Sequence, residues 1–154
     1  MLDTIDIIIA NLNTRLKNID GTGVFTHNLG RSVLYGEDEV PDGSQCPQIN
    51  YWFGSEDFSE QFSDKDEYNA RNAILTVEGY TPLGSKKLAT VAKEVKADIE
   101  HAVLFTGGDL DNTLNGACYH INFLSADPFL LTNNTDIGGC IVTFEVIYMP
   151  ASTV

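Results

Sequence analysis

Basic residues are scarce in this 154-residue chain: 9 Lys and Arg stand against 22 Asp and Glu, a formal net charge of −13. Binding nucleic acid needs clustered cations that displace counterions, so an independent DNA or RNA site is not expected. Docking on anionic lipid is excluded on the same ground. Cysteine is also rare. Cys46, Cys118 and Cys140 are an odd number without C-x-x-C spacing, which excludes a disulfide framework and fits buried thiols in a reducing compartment. Long apolar runs are missing. The opening "MLDTIDIIIA" carries Asp3 and Asp6 where a secretory signal carries Lys or Arg, and its apolar run is too short to span a bilayer. No sorting signal, repeat, linker or low-complexity tract is read from the chain.

The signatures of catalysis are absent too. His27, His101 and His120 are scattered, with no H-x-x-x-H or Cys/His cluster for zinc. There is no G-x-S-x-G elbow. "GTG" at 21–23 stops a helix rather than opening a nucleotide loop. "DKDEYN" at 64–69 starts like a calcium loop but lacks the turn glycine and the terminal glutamate. The expectation is a chain without cofactor or metal that is not an enzyme.

What the chain does have is periodicity. At this length one domain is expected, over residues 1–154. Ile5, Ile8, Ile9, Leu12, Leu16 and Ile19 follow the 3-and-4 spacing of a helix, with Asp3 as N-cap and "DGTG" at 20–23 as its stop. Short strands are expected at "GVFTHN", "RSVLYG" and "PQINYWF", then at "NAILTVEGYTP". A second helix is expected in "KKLATVAKEVKADIEHAVLF", capped by Ser85, with Leu88, Val91, Val95, Ile99 and Val103 as its stripe. "CYHINFL" reads as a strand with Tyr119, Ile121 and Phe123 inward and Pro128 ending its pairing. The closing "GGCIVTFEVIYMP" alternates cleanly, with Val142, Phe144, Val146 and Tyr148 inward. Helices do not alternate with strands, so the fold class is α+β: a twisted, mainly antiparallel sheet with two main helices packed on one face.

The surface holds the candidate interface residues. Trp52 alternates away from the predicted core, and Phe58 and Phe62 sit in an acidic segment beginning at Gly54. Aromatics so placed anchor protein interfaces. The same segment carries Glu56, Asp57, Glu60, Asp64, Asp66 and Glu67 with few aliphatics, and reads as a mobile acidic insertion around 54–72. Lys86 and Lys87 fall in the first turn of the second helix, the wrong end for a cation, which points to a partner surface.

The opening helix "TIDIIIANLNTRLKNI", the central "CPQINYWFGSEDF", "NAILTVEGYTP" before "KKLATVAKEVKADIEHAVL", and the closing "IVTFEVIYMP" together resemble the tail terminator (tail-to-head joining) proteins of long-tailed, lambda-type bacteriophages. The resemblance covers nearly the whole chain. It implies a structural virion protein, made in the host cytoplasm, at the head-proximal end of the tail. There a hexameric ring caps the tail tube, ends its polymerisation and joins it to the neck. The implied partners are further copies of itself, the tail tube protein and a neck or head-completion protein, with DNA passing through unbound and no membrane. The family's sheet faces the channel and its helices lie outside. Six chains would bring 6 × −13 = −78 charges, which favours DNA sliding over sticking. The alternatives are a neck adaptor or tail tube subunit of related fold, a metal-dependent hydrolase using the acids of 56–67, and a small ligand-binding domain with one deep apolar pocket.

Overall fold

The computed structural model describes residues 3–36, 46–58, 70–132 and 134–150, with Ser55, Asp57 and Phe58 described by their backbone. The first helix, α1 (Thr4–Lys17), forms where the isoleucine–leucine spacing predicts it and buries Ile8, Leu12 and Leu16. Asp3 holds the N-cap position, yet it caps through its carbonyl, which accepts from the amides of Asp6 and Ile7, and not through its side chain.

A short 3-10 turn (Leu29–Arg31) leads into β1 (Val33–Tyr35). β2 (Gln48–Phe58) and β3 (Arg71–Pro82) follow, then α2 (Leu88–Leu104). A two-residue pair, β4 (Phe105–Thr106) with β5 (Asp109–Leu110), closes a tight turn on Gly107 and Gly108. The long strands β6 (His120–Leu130) and β7 (Ile137–Tyr148) end the described chain. The main sheet has the order β1-β2-β3-β7-β6. Only the β1–β2 pair is parallel; the other three are antiparallel. The fold is therefore α+β with a mixed sheet.

Register divides the sheet residues into two alternating sets. One set runs Tyr51, Val77, Val142 across three strands, with Leu75 opposite Phe144. This set joins one hydrophobic cluster with Ile8, Leu12 and Leu16 of α1 and Val91, Val95 and Ile99 of α2. α2 comes closest at Gly79, where a Cβ would lie 2.5 Å from the side chain of Val95, so β3 needs a residue without one there. The closing strand is as its alternation predicts: Val142, Phe144, Val146 and Tyr148 are buried, and β7 lies inside the sheet between β3 and β6.

Several expectations are corrected. "GVFTHN" is not a strand but a series of turns. Its backbone is held by Asp98 of α2, whose two carboxylate oxygens accept from the amides of Thr26 and His27, each at 2.9 Å. A carboxylate that offers both acceptors to one loop replaces the ladder a strand would need. α2 starts at Leu88, with Lys87 as its N-cap, so Ser85 is not the cap and neither lysine lies in the first turn.

β2 continues to Phe58 past an irregularity between Phe53 and Glu56, and Asp57 and Phe58 pair with Asn72 and Arg71. The flanks of the segment expected as an insertion are thus strand, while 59–69 lie outside the described residues. Pro128 does not end pairing: it sits opposite Cys140, and the ladder runs on to Leu130. β6 is an edge strand, where a missing N–H is tolerated. Of the three residues expected inward there, only Ile121 is buried. Tyr119 precedes the strand, and Phe123 lies at a bulge beside Ser125.

Candidate functional site

The second alternating set of sheet residues is polar. Asn50, Glu78, Ile141 and Asp127 stand in one row across four strands, and Trp52, Thr76, Thr143 and Ser125 in the next. By register the set carries four carboxylates, Glu78, Asp127, Glu145 and, opposite Asn72, Asp57, and no Lys or Arg among the described residues. Burial pushes the Glu78 carboxyl above its ordinary range. Gln48 and Asn50 are buried, and neither polar atom of the Gln48 amide nor Asn50 Oδ1 has a hydrogen-bond partner.

Glu145 organises the far end of the same set. It accepts from Asn72 Nδ2 at 2.8 Å and from Asn122 Nδ2 at 3.1 Å, tying three strands together. Alternation alone places Glu145 on the side opposite Phe144, where replacement would leave the fold nearly untouched if the residue were solvated. With two hydrogen bonds at a half-buried carboxylate, Glu145→Ala should instead cost about 1 to 2 kcal/mol, read as a lowered urea midpoint with an unchanged slope.

The candidate interface residues do not converge. Trp52 is half-buried on the polar set, opposite Thr76. Glu56 lies on the exposed stretch of β2 and faces Arg71 across the strand pair at 3.7 Å. Tyr148 is buried beside it; burial first, and then the Glu56 carboxylate, raise its hydroxyl far above the ordinary tyrosine range. Asp57 and Phe58 are placed on β2 by their backbone. Phe62, Asp64 and Asp66, with Glu60 and Glu67, lie outside the described residues. Lys86 reaches Glu94 of α2 with its ammonium 2.9 and 3.0 Å from the two carboxylate oxygens, and His27 meets the same carboxylate at 3.2 Å. The Lys86 hydrogen bond is the main reason that carboxyl titrates below its usual range. Lys87 is exposed.

Three arrangements escape the sequence reading. Arg15, only 6% exposed, fastens α1 to the far end of α2: Nη1 donates to the carbonyls of Val103 and Asp111, each at 2.9 Å, and Nη2 to the Asp111 carboxylate. Asp98 is the loop clamp described above, and burial pushes its carboxyl up. The third is a cleft of about 260 Å³ lined by Arg15, Phe25, His101, Phe105, Gly107 and Gly108 among others. There the His101 ring stacks on Phe105 at 5.0 Å and meets the edge of Phe25 at 5.7 Å.

None of these assembles a nucleophile with a base. The thiols of Cys118 and Cys140 are pushed by burial to about 12 and about 11, which makes them inert. Among the described residues no group of three or more His, Cys, Asp or Glu is placed to hold a metal ion, and no helix is long and apolar enough to cross a membrane. No protein-family model matches the chain, and no curated protein is significantly similar to it.

Proposed function

We propose that this protein is a structural virion component: a hexameric ring that caps a phage tail tube, stops its growth and joins it to the neck of the head. The observation that carries the reading is architectural. One helix, a group of strands, a second helix and, after the short β4–β5 pair, a final pair of strands follow in that order, and the five main strands share one sheet. That is the order of elements on which the resemblance to tail terminators rests. The polar set of sheet residues supports it physically. A wall with Glu78, Asp127 and Glu145 and, among the described residues, no opposing cation would repel phosphate, as a DNA conduit must.

The reading makes the protein non-enzymatic, with further copies of itself, a tube protein and a neck protein as partners. A tail tube subunit of related fold is the nearest alternative, and its behaviour differs: a tube subunit stacks into long tubes alone, whereas a terminator forms single closed rings. Particles lacking this chain should carry tails of uncontrolled length that fail to join heads, measured by electron microscopy of lysates. Normal tail length and normal joining in its absence would reject the proposal.

A further inference from the structure

In a chain with 22 acids, no Asp or Glu lines the cleft of about 260 Å³ beside Arg15. Its ionisable members are Arg15 and His101, and Val24, Phe25 and Phe105 supply apolar wall. Three pieces of the fold build it. Arg15 rises from the last turn of α1. His101 and Phe105 stand at the end of α2. Val24 and Phe25 come from the loop whose next two amides, those of Thr26 and His27, are held by Asp98. The walls are therefore fixed before anything enters, which lowers the ordering cost of binding.

Arg15 has capacity left over. Its Nη1 donates to the carbonyls of Val103 and Asp111, and its Nη2 to the Asp111 carboxylate and, at 3.4 Å, to Asn115 Oδ1. That engages every N–H of the two terminal nitrogens and leaves Nε–H. Nε is buried and has no hydrogen-bond partner, on a side chain only 6% exposed. A buried cationic donor without an acceptor carries a desolvation cost that an incoming oxygen recovers. Asp111 meets the guanidinium from the Nη2 side and does not line the cleft. The carbonyls at the end of α2, which would repel an anion, carry donors of their own: His101 accepts from the Phe105 amide, Val103 from Arg15 and Leu104 from the Asp111 amide.

We propose that the cleft binds a small aromatic carboxylate, one oxygen accepting from Arg15 Nε–H and the ring packed on the His101–Phe25–Phe105 group. The charged acceptor is favoured over a neutral carbonyl because a charge-assisted hydrogen bond is roughly twice as strong as a neutral one. The flat body is favoured because the His101 ring, stacked on Phe105 at 5.0 Å and edge-on to Phe25 at 5.7 Å, offers aromatic surface. The volume sets the size: it falls below the roughly 300 to 1,000 Å³ of drug-sized sites, so it suits one ring with its carboxylate. The site is independent of the ring proposed above, and neither needs the other.

The test titrates benzoate into the full chain and follows the Arg15 Nε–H resonance by NMR. Saturable binding is expected with a Kd of about 1 mM or tighter, the scale for so small a ligand, and with a downfield shift of that resonance. Benzyl alcohol, the same ring without the charge, should bind about fivefold more weakly or worse. Val24 lines the cleft and is 63% exposed, so replacing it leaves the core intact. Val24→Asp should weaken benzoate binding by about tenfold or more, while Val24→Asn retains it. Absence of saturation, binding that leaves the Arg15 Nε–H resonance unmoved, equal binding of benzyl alcohol, or a folded Val24→Asp chain that binds benzoate as the wild type does would each overturn the proposal. None of these outcomes bears on tail length or head joining, so the ring reading is tested separately.

Discussion

Phe144→Ala should lower the stability of the isolated chain by about 3 to 5 kcal/mol, the usual cost of emptying a fully buried aromatic site. The side chain is 0% exposed, stands opposite Leu75 on one side and Phe123 on the other, and meets the Phe123 ring edge-on at 6.3 Å. A domain is held by roughly 5 to 15 kcal/mol, so this single truncation removes a large share. For a chain of this size the loss corresponds to a fall in Tm of roughly 6 to 20 °C. Phe144→Leu should cost clearly less, because a branched aliphatic fills part of the space. Thermal unfolding of the two variants checks this; equal losses would mean the ring is not packed as described.

Asp111→Ala should be the second severe change, at about 3 kcal/mol, the lower end for breaking a buried pair because Asp111 keeps some solvent contact. It removes the one carboxylate that meets the Arg15 guanidinium among the described residues, leaving it backbone carbonyls, and undoes the loop that follows, where Asp111 also accepts from the Thr113 hydroxyl and from the amides of Thr113 and Asn115. That loop places Leu114 and Asn115 at positive φ, 49° and 59°, with Leu114 fully buried, so it needs those bonds to hold its shape. The Thr113 hydroxyl is the largest of the causes that hold the Asp111 carboxyl down at about 2. Its value in an unfolded chain is about 3.9. The stabilisation is thus complete above about pH 4 and is lost as pH falls through about 2. The wild-type chain should lose stability across that window, and Asp111→Asn should flatten the loss there.

How much of this could be read from the sequence depended on whether a residue's role is local. The closing strand was legible because strict alternation leaves one register that buries Val142, Phe144 and Val146. The α2 stripe was legible for the same reason at a period of 3.6. Arg15 was not. A lone arginine in an amphipathic helix reads as solvated, and its partner Asp111 lies 96 positions away. β6 was half legible: alternation fixes which side a residue takes but not whether anything covers it, so Phe123 was placed inward and is exposed. Pro128 was misread because its tolerance depends on β6 being an edge, which only the assembled order reveals. Among the candidate interface residues, composition could single out Trp52 and Lys86 but could not foresee that Lys86 and His27 both meet the Glu94 carboxylate.

The interior position of β7, between β3 and β6, sets the timetable of folding. β3 and β7 pair over twelve positions, and the partners lie between 137 − 82 = 55 and 148 − 71 = 77 residues apart in sequence. Loops of that size must close before the pairing returns anything, which places the fold among slow, high-contact-order topologies. During synthesis the hairpin of β2 and β3 emerges well before the strand that covers its open side. Until β7 arrives, β3 offers a bare edge flanked by Leu75 and Val77, the condition under which nascent chains pair with the wrong neighbour. A mutation that delays the docking of β7 should therefore lengthen the time β3 is exposed and raise the aggregated fraction on expression.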